Sequence, residues 1–327
     1  MKKTFQKTLI AAALTAASIG AFAGTPGTTN LLFPYITTAT GSYTFISIVS
    51  QKGTAANLAA APLHFTYSMK ATTAANSTAC VHLDGDTTAT KNDLIQFEVS
   101  NKVNVPTSSG DTTSVPKYYP TADRMGMLVV NNNDGSIYGS GATYTSAILY
   151  GEARLINTTT GLATGYSTDD LHAPAAAGSL IDFAAAGGPD NGTTLGQAKV
   201  LSWFPATAVS TSFYMIPMGS EATMAFAGNL SATYQVQDGT ATQGAAGFGG
   251  HYNNNEGFQS SNATAPVTCV GVVDKATMLG ADNAAWSNNG GWGNFRPTTA
   301  VGALIYKIES TSAVSGTQSF VTRAPVL

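Results

Sequence analysis

Charged side chains are scarce in this sequence. Asp, Glu, Lys and Arg make up only 10% of the 327 residues, and the formal net charge is −3. Typical soluble domains carry about 25% charged residues. Nucleic-acid binding needs a clustered basic surface, and none is present. We therefore expect no nucleic-acid partner, and a surface made largely of hydroxyl and amide groups.

Long apolar runs are also missing. No segment reaches the roughly 18 apolar residues of a membrane-spanning helix, so no transmembrane helix is expected. The apolar run Leu9–Gly20 is shorter, follows Lys2, Lys3 and Lys7, and precedes Ala21-Phe22-Ala23. This order is typical of a secretory signal peptide, residues 1–23, cleaved after Ala23. The mature protein is expected to be extracellular or at the cell surface.

Cysteine is nearly absent, with Cys80 and Cys269 alone in the chain. An even number of cysteines in an exported protein favours a disulfide bond. Two separate buried thiols are the alternative. Neither cysteine lies at the cleavage site, so a lipid anchor is not expected.

Helical periodicity is rare, and only Ala173–Ala186 and Asp274–Leu279 could form short helices. Short runs rich in Val, Ile, Tyr, Phe and Thr, bounded by Gly, Asn, Asp and Pro, predict strands. They indicate an all-β fold, an antiparallel β-sandwich with few or no helices after the signal peptide. The predicted strands are Ser42–Val49, Leu63–Met69, Leu94–Val99, Met125–Val130, Tyr144–Tyr150, Ala198–Phe204, Ser212–Ile216, Ala222–Phe226, Ala232–Val236, Val267–Val273, Val301–Ile308 and Gln318–Thr322.

The domain organisation follows from one irregular segment. Residues 167–197 are rich in Gly, Ala, Pro and Asp and poor in strand signal. We expect residues 24–327 to form a single composite β domain. It has two possible packed lobes, residues 24–166 and 198–327, joined by that segment.

Catalytic motifs are missing as well. The four histidines form no His-x-x-x-His pair, which leaves a zinc hydrolase unsupported. The sequence has no Gly-x-Ser-x-Gly nucleophile turn and no phosphate-binding glycine loop. We expect no enzyme activity and no organic cofactor.

The densest polar cluster is His82-Leu83-Asp84-Gly85-Asp86, followed by Asp93. Asp84, Asp86 and Asp93 could supply oxygen ligands to Ca²⁺. The spacing does not match an EF-hand loop. The alternative, which we favour, is an Asx-rich turn between two strands.

The most unusual segment is Ala285–Arg296, a predicted loop in which Trp286 and Trp292 stand among Gly and Asn. Tyr252 lies in a second polar and aromatic segment. Aromatic faces beside amides can stack on sugar rings or anchor a protein partner. The alternative is that both indole rings fold inward and close the edge of the sandwich.

Asn30-Leu31-Leu32-Phe33-Pro34-Tyr35-Ile36 and the following Ser42–Ile48 strand resemble the start of a group of uncharacterised secreted bacterial surface β-proteins. These proteins carry an LLFPY segment directly after the signal peptide. The resemblance implies an exported β-sandwich and assigns no functional residue.

Together these patterns predict a non-enzymatic, exported structural or adhesive protein of the cell surface, such as a coat, sheath or fibre subunit. Its expected partners are further copies of itself or other surface proteins. The first alternative is an extracellular carbohydrate-binding module or glycan-active enzyme. The second is an outer-membrane β-barrel, which is also exported and rich in strands.

Overall fold

The computed structural model describes residues 30–52, 61–89, 93–105, 115–118, 120–131, 147–159, 162–168, 199–218, 230–237, 250–261, 263–280, 288–298, 302–311 and 318–323. These residues form an all-β fold of four antiparallel sheets, and none of the four closes on itself. The chain divides into two compact units, described separately below.

Among the described residues, the first unit contains eight strands. They are Asn30–Thr37 (β1), Ser42–Lys52 (β2), Ala61–Ala71 (β3), Val81–Ala89 (β4), Asp93–Glu98 (β5), Arg124–Asn131 (β6), Ala147–Asn157 (β7) and Leu162–Ser167 (β8). One sheet has the order β1-β6-β3-β4 and the other the order β5-β2-β7-β8.

Alternating side chains of both sheets build one shared core, which makes this unit a two-layer sandwich. Along β3, Leu63, Phe65, Tyr67 and Met69 belong to this core. The Phe65 ring meets the Phe97 ring of β5 edge to face, with 5.9 Å between centroids. Apolar and polar residues alternate along Leu63–Met69, so every second side chain of this strand reaches the core.

The part of the second unit that the structure describes contains ten strands and a one-turn helix. The strands are Lys199–Pro205 (β9), Ser210–Met218 (β10), Ser231–Gln237 (β11), Gly250–Asn253 (β12), Phe258–Ser260 (β13), Thr264–Thr268 (β14), Gly271–Asp274 (β15), Asn289–Pro297 (β16), Gly302–Thr311 (β17) and Gln318–Arg323 (β18). The helix is Lys275–Leu279 (α1), and Asp274 caps it by accepting from the Thr277 backbone N–H at 2.6 Å.

Strand β16 is the centre of the larger sheet in this unit. It pairs with β9 along one side, and with β12 and then β11 along the other. The sheet continues to β13 beyond β12 and to β14 beyond β11. The smaller sheet has the order β15-β10-β17-β18, and side chains of both sheets and of α1 share one core.

The predicted disulfide is confirmed. Cys80 and Cys269 are bonded, with 6.0 Å between their Cα atoms, and both are buried. The short segment 74–80, between β3 and β4, groups with the second unit. Asn76 fixes this segment, because its side chain donates to the Val272 carbonyl at 2.9 Å and accepts from the Val272 N–H at 3.1 Å.

The expected all-β sandwich class is confirmed, and several segments differ from the sequence-based prediction, among them β1, β8, β12 and β13, which were not predicted as strands. Residues 81–89 form a strand rather than an Asx-rich turn, and residues 289–297 form a strand rather than a loop. Val267–Val273 is split in two because Cys269 has φ of +63°, which interrupts the extended chain.

Other expectations concern parts of the chain that are not described. Residues 1–29, 169–198 and 219–229 lie outside the described residues, so the signal peptide, the Ala173–Ala186 helix and the Ala222–Phe226 strand stay predictions. The single composite domain with lobes 24–166 and 198–327 also stays a prediction. Within the described residues no helix is long and apolar enough to cross a membrane.

Candidate functional site

Two of the three aromatic residues singled out from the sequence come together in the second unit. Tyr252 of β12 lies directly opposite Trp292 of β16. Their rings stack at an interplanar angle of 14°, with 4.6 Å between centroids. Trp286 lies outside the described residues.

A third ring extends this stack along the sheet. Phe258 of β13 lies opposite Tyr252, and their ring centroids are 5.3 Å apart. Trp292 is 40% exposed and Phe258 is 46% exposed, although both are large apolar side chains. Phe258, Tyr252 and Trp292, on three neighbouring strands, together form what we call the aromatic row.

The strand register decides which way these rings point. On β16, Phe295 lies in the core while Trp292, three positions earlier, is on the opposite face. Gly291 and Gly293 flank Trp292, and a Cβ atom at Gly291 would collide with the Tyr252 carbonyl oxygen. The glycines thus let β12 approach closely enough for the two rings to stack.

A tight hairpin turn joins β12 to β13 and so positions Tyr252 and Phe258 of the aromatic row. The Asn253 side-chain oxygen accepts from the backbone N–H groups of Asn255 and Gly257, each at 2.9 Å. Glu256 takes the left-handed conformation, with φ of +63°, to close the turn. This asparagine-rich stretch therefore has a structural role in holding the aromatic row.

On the other side of Trp292 the neighbouring strand offers a small residue. Ser202 of β9 is opposite Trp292 and exposed, and Phe204 follows two positions later at 56% exposure. Lys307 Nζ lies 5.9 Å from the Phe204 ring centroid and donates to the Ser202 carbonyl at 3.1 Å. Lys307 Nζ also forms an ion pair with Glu309 Oε2 at 3.1 Å, so a paired ammonium group lies beside Phe204.

Sequence reasoning missed Phe258, Phe204 and Lys307. A signal for Phe204 was present in the predicted strand 198–204, where Leu201 and Trp203 alternate with Ser202 and Phe204. Since Leu201 and Trp203 are in the core, Phe204 must face outward. Lys307 gave no local signal, because its contacts join segments about a hundred residues apart.

His251 lies on the inner side of the strand that carries Tyr252. It is fully buried, and its ring centroid is 5.8 Å from that of Trp203. Burial, and secondarily the positive charge of Lys275, lower the pKa of His251 to about 4. At neutral pH the imidazole is therefore uncharged.

The acidic candidates for calcium lie on two strands of the first unit. Asp84 and Asp86 are exposed on β4, and Asp93 begins β5. The Asp86 carboxylate contacts Nδ1 of the buried His64. Within the described residues no three His, Cys, Asp or Glu side chains are grouped as metal ligands, so calcium binding stays a prediction.

A second polar feature was not foreseen on β3. Its outward residues His64, Thr66, Ser68 and Lys70 are all buried, and burial lowers the pKa of Lys70 to about 8. Ser68 Oγ lies 3.0 Å from His82 Nδ1, a spacing typical of a nucleophile and its base. The Ser68 side chain is fully buried in this structure.

Comparisons with known proteins add little to this geometry. No family model matches the chain, and no curated protein matches it. A solved structure, the apo form of Pleurotus ostreatus lectin, is 12% identical over 91% of this chain and 76% of that chain, with a TM-score of 0.18. A score of that size carries no argument about fold or function.

Proposed function

We propose that this chain is an exported, non-enzymatic adhesive protein of the cell surface, and that the aromatic row of the second unit is its contact surface. The observation that carries the proposal is the exposure of Trp292 and Phe258 in one continuous row with Tyr252. Single exposed apolar residues need no special cause, whereas clustered aromatic rings are typical of binding surfaces.

Glycans are the ligand class that this surface suits best. The C–H faces of sugar rings pack on aromatic rings, and their hydroxyl groups need polar neighbours at the rim. Ser202 and the Lys307 ammonium group beside Phe204 can provide such neighbours. A chain with only 10% charged residues also suits an uncharged ligand.

A glycan array with purified mature protein tests the proposal. Trp292→Ala is expected to weaken binding by about two- to tenfold, since one stacked aromatic contact contributes roughly 0.5–1.5 kcal/mol. Leu83→Ala, which removes an exposed apolar side chain from the first unit, is the matched control and should bind as the wild type does. Binding that Trp292→Ala and Tyr252→Ala both leave unchanged would contradict the proposal.

A second candidate function, a self-associating coat or fibre subunit, is favoured by strand β4. This strand ends the described order of its sheet and exposes Val81 and Leu83. The unpaired backbone groups of an edge strand are a template for pairing with another chain. Sedimentation velocity would detect assembly, and Leu83→Lys should reduce it while Trp292→Ala should not. A protein that stays monomeric at high concentration would exclude this candidate.

A further inference from the structure

A groove of about 430 Å³ lies on the outer face of the β5-β2-β7-β8 sheet in the first unit. Its floor carries Phe45, Ser47, Gln96, Glu152 and Arg154, and residues 103–105 line its side. Small-molecule sites usually measure about 300–1,000 Å³, so this groove is large enough for a small ligand.

The strand register gathers the floor residues from three neighbouring strands. Ser47 of β2 pairs with Gln96 of β5 on one side and with Glu152 of β7 on the other. Phe45 lies two positions from Ser47 and pairs with Arg154. Residues paired in register project on the same face, so the sheet itself holds the five side chains together.

The side wall is held by a buried carboxylate. Glu98 accepts hydrogen bonds from the Ser100 hydroxyl at 2.8 Å and from the Lys102 N–H at 2.7 Å. Lys102 Nζ in turn donates to the carbonyl oxygens of Thr38 and Ser42. These bonds fix the chain just before residues 103–105, and thus give the groove a built wall.

The charged side chains on the floor of the groove balance to zero net charge, and polar groups on one side face apolar side chains on the other. Arg154 Nη2 and Glu152 Oε2 form an ion pair at 2.8 Å, with both groups partly exposed. A carboxylate has about four acceptor positions, so this pair leaves Glu152 with capacity for more hydrogen bonds. Phe45, Val103 and Val105 supply an apolar side facing these polar groups.

We propose that this groove is a binding site for an uncharged saccharide. A sugar ring presents an apolar C–H face, which suits Phe45, and hydroxyl groups that both donate and accept, which suit Glu152, Arg154 and Gln96. The Arg154–Glu152 pair leaves the groove floor with no net charge, so the floor has no net attraction for a charged ligand. The site lies in the other unit from the aromatic row and does not depend on the function proposed above.

Titration of neutral hexose and N-acetylhexosamine disaccharides, followed by calorimetry and ligand-observed NMR, tests the site. The corresponding uronic acids, hexosamines and free amino acids serve as charged comparison ligands. The neutral sugars are expected to bind. Arg154→Met and Glu152→Gln should each weaken binding by about tenfold or more, because each removes a charged hydrogen-bonding group.

Paired controls distinguish binding in this groove from binding elsewhere on the protein. Gln96→Ala changes an exposed floor residue, and Leu94→Ala changes the exposed residue two positions away that does not line the groove. Only Gln96→Ala should weaken binding, and this pair of variants still tests the proposal if Arg154→Met fails to fold.

Trp292→Ala should leave binding in the groove unchanged, whatever it does to glycan-array binding. Preferred binding of a charged ligand, equal effects of Gln96→Ala and Leu94→Ala, or no binding of any neutral sugar at about 10 mM would overturn the proposal.

Discussion

Trp203 and Trp292 are on neighbouring strands of one sheet and have opposite surroundings. Trp203 is 4% exposed and meets the Phe295 ring edge to face in the core. Trp292, on the partner strand, stands outside and stacks on Tyr252. Residue type does not distinguish the two indole rings, whereas strand alternation and register do.

His251 predicts an acid-dependent loss of stability. Its pKa is about 4 in the folded protein and 6.5 when unfolded, so the unfolded chain binds more protons between these values. The free energy of unfolding should therefore fall as pH decreases from 6.5 towards 4, by about 2 kcal/mol from this group at pH 4.5. Urea unfolding at pH 7 and 4.5 measures this effect. In His251→Phe, the free energy of unfolding should fall less between pH 7 and 4.5 than in the wild type. An identical decrease in both proteins would refute the prediction.

Replacing Gly291 with a larger residue is expected to disturb the aromatic row by steric collision. A methyl group in Gly291→Ala would collide with the Tyr252 carbonyl and press on the Trp203 ring. Strand β12 must shift, at a cost of about 1–3 kcal/mol, and the Tyr252–Trp292 stack should be disturbed. Thermal unfolding measures the cost and Trp fluorescence reports the stack. Ser202→Ala, which adds no atoms on the facing strand, should change stability by less than about 0.5 kcal/mol. Equal stability of the two variants would contradict this steric mechanism.

At the scale of elements, the predicted strands agree best with the observed strands where apolar and polar residues alternate along the sequence and the apolar ones face the core. β3 and β10 are examples, since the runs Leu63–Met69 and Ser212–Ile216 both lie within observed strands. Two elements were misread, because β4 carries Asp and Gly and β16 carries Asn and Gly, residues common in turns. Their strand conformation comes from long-range pairing with β3 and with β9, β11 and β12. Local propensity does not contain that information.

The disulfide bond fixes the segment between β3 and β4 to the second unit. It closes a sequence separation of 189 residues, and a loop of that length restricts the unfolded chain strongly. The double variant Cys80→Ala/Cys269→Ala is expected to lose about 2–5 kcal/mol of stability. Urea midpoints measure the loss, and reduced wild-type protein is the control that should behave like the variant. An unchanged midpoint would show that the bond does not stabilise the fold.

For the whole molecule, export is the sequence-based expectation with the most direct test. The protein recovered from the envelope or medium should begin at Gly24, as measured by intact mass. Ala23→Arg should block this processing, because cleavage requires a small residue at that position. Ala12→Leu, which keeps the leader apolar, should be processed normally. An exported wild-type protein that still carries residues 1–23 would contradict the prediction.

The predicted loss of the leader would also change the electrostatics of the molecule. Removing Lys2, Lys3 and Lys7 from the 15 basic residues leaves 12 against 18 acidic ones, a net charge of −6. The mature protein is then mildly acidic but sparsely charged, and both proposed contact surfaces rely on packing and hydrogen bonding. Binding at either surface should therefore depend little on salt concentration.

The amino-acid sequence by itself determined the all-β class, strands such as β3 and β10, and the cysteine pair. Each follows from side-chain periodicity, turn residues or cysteine count, which are local or compositional properties. Only the tertiary structure decided that Tyr252 stacks on Trp292, that Trp203 is buried and that three strands join around Phe45 and Arg154. Strand pairing brings together residues far apart in the chain, and its register decides which face each side chain occupies.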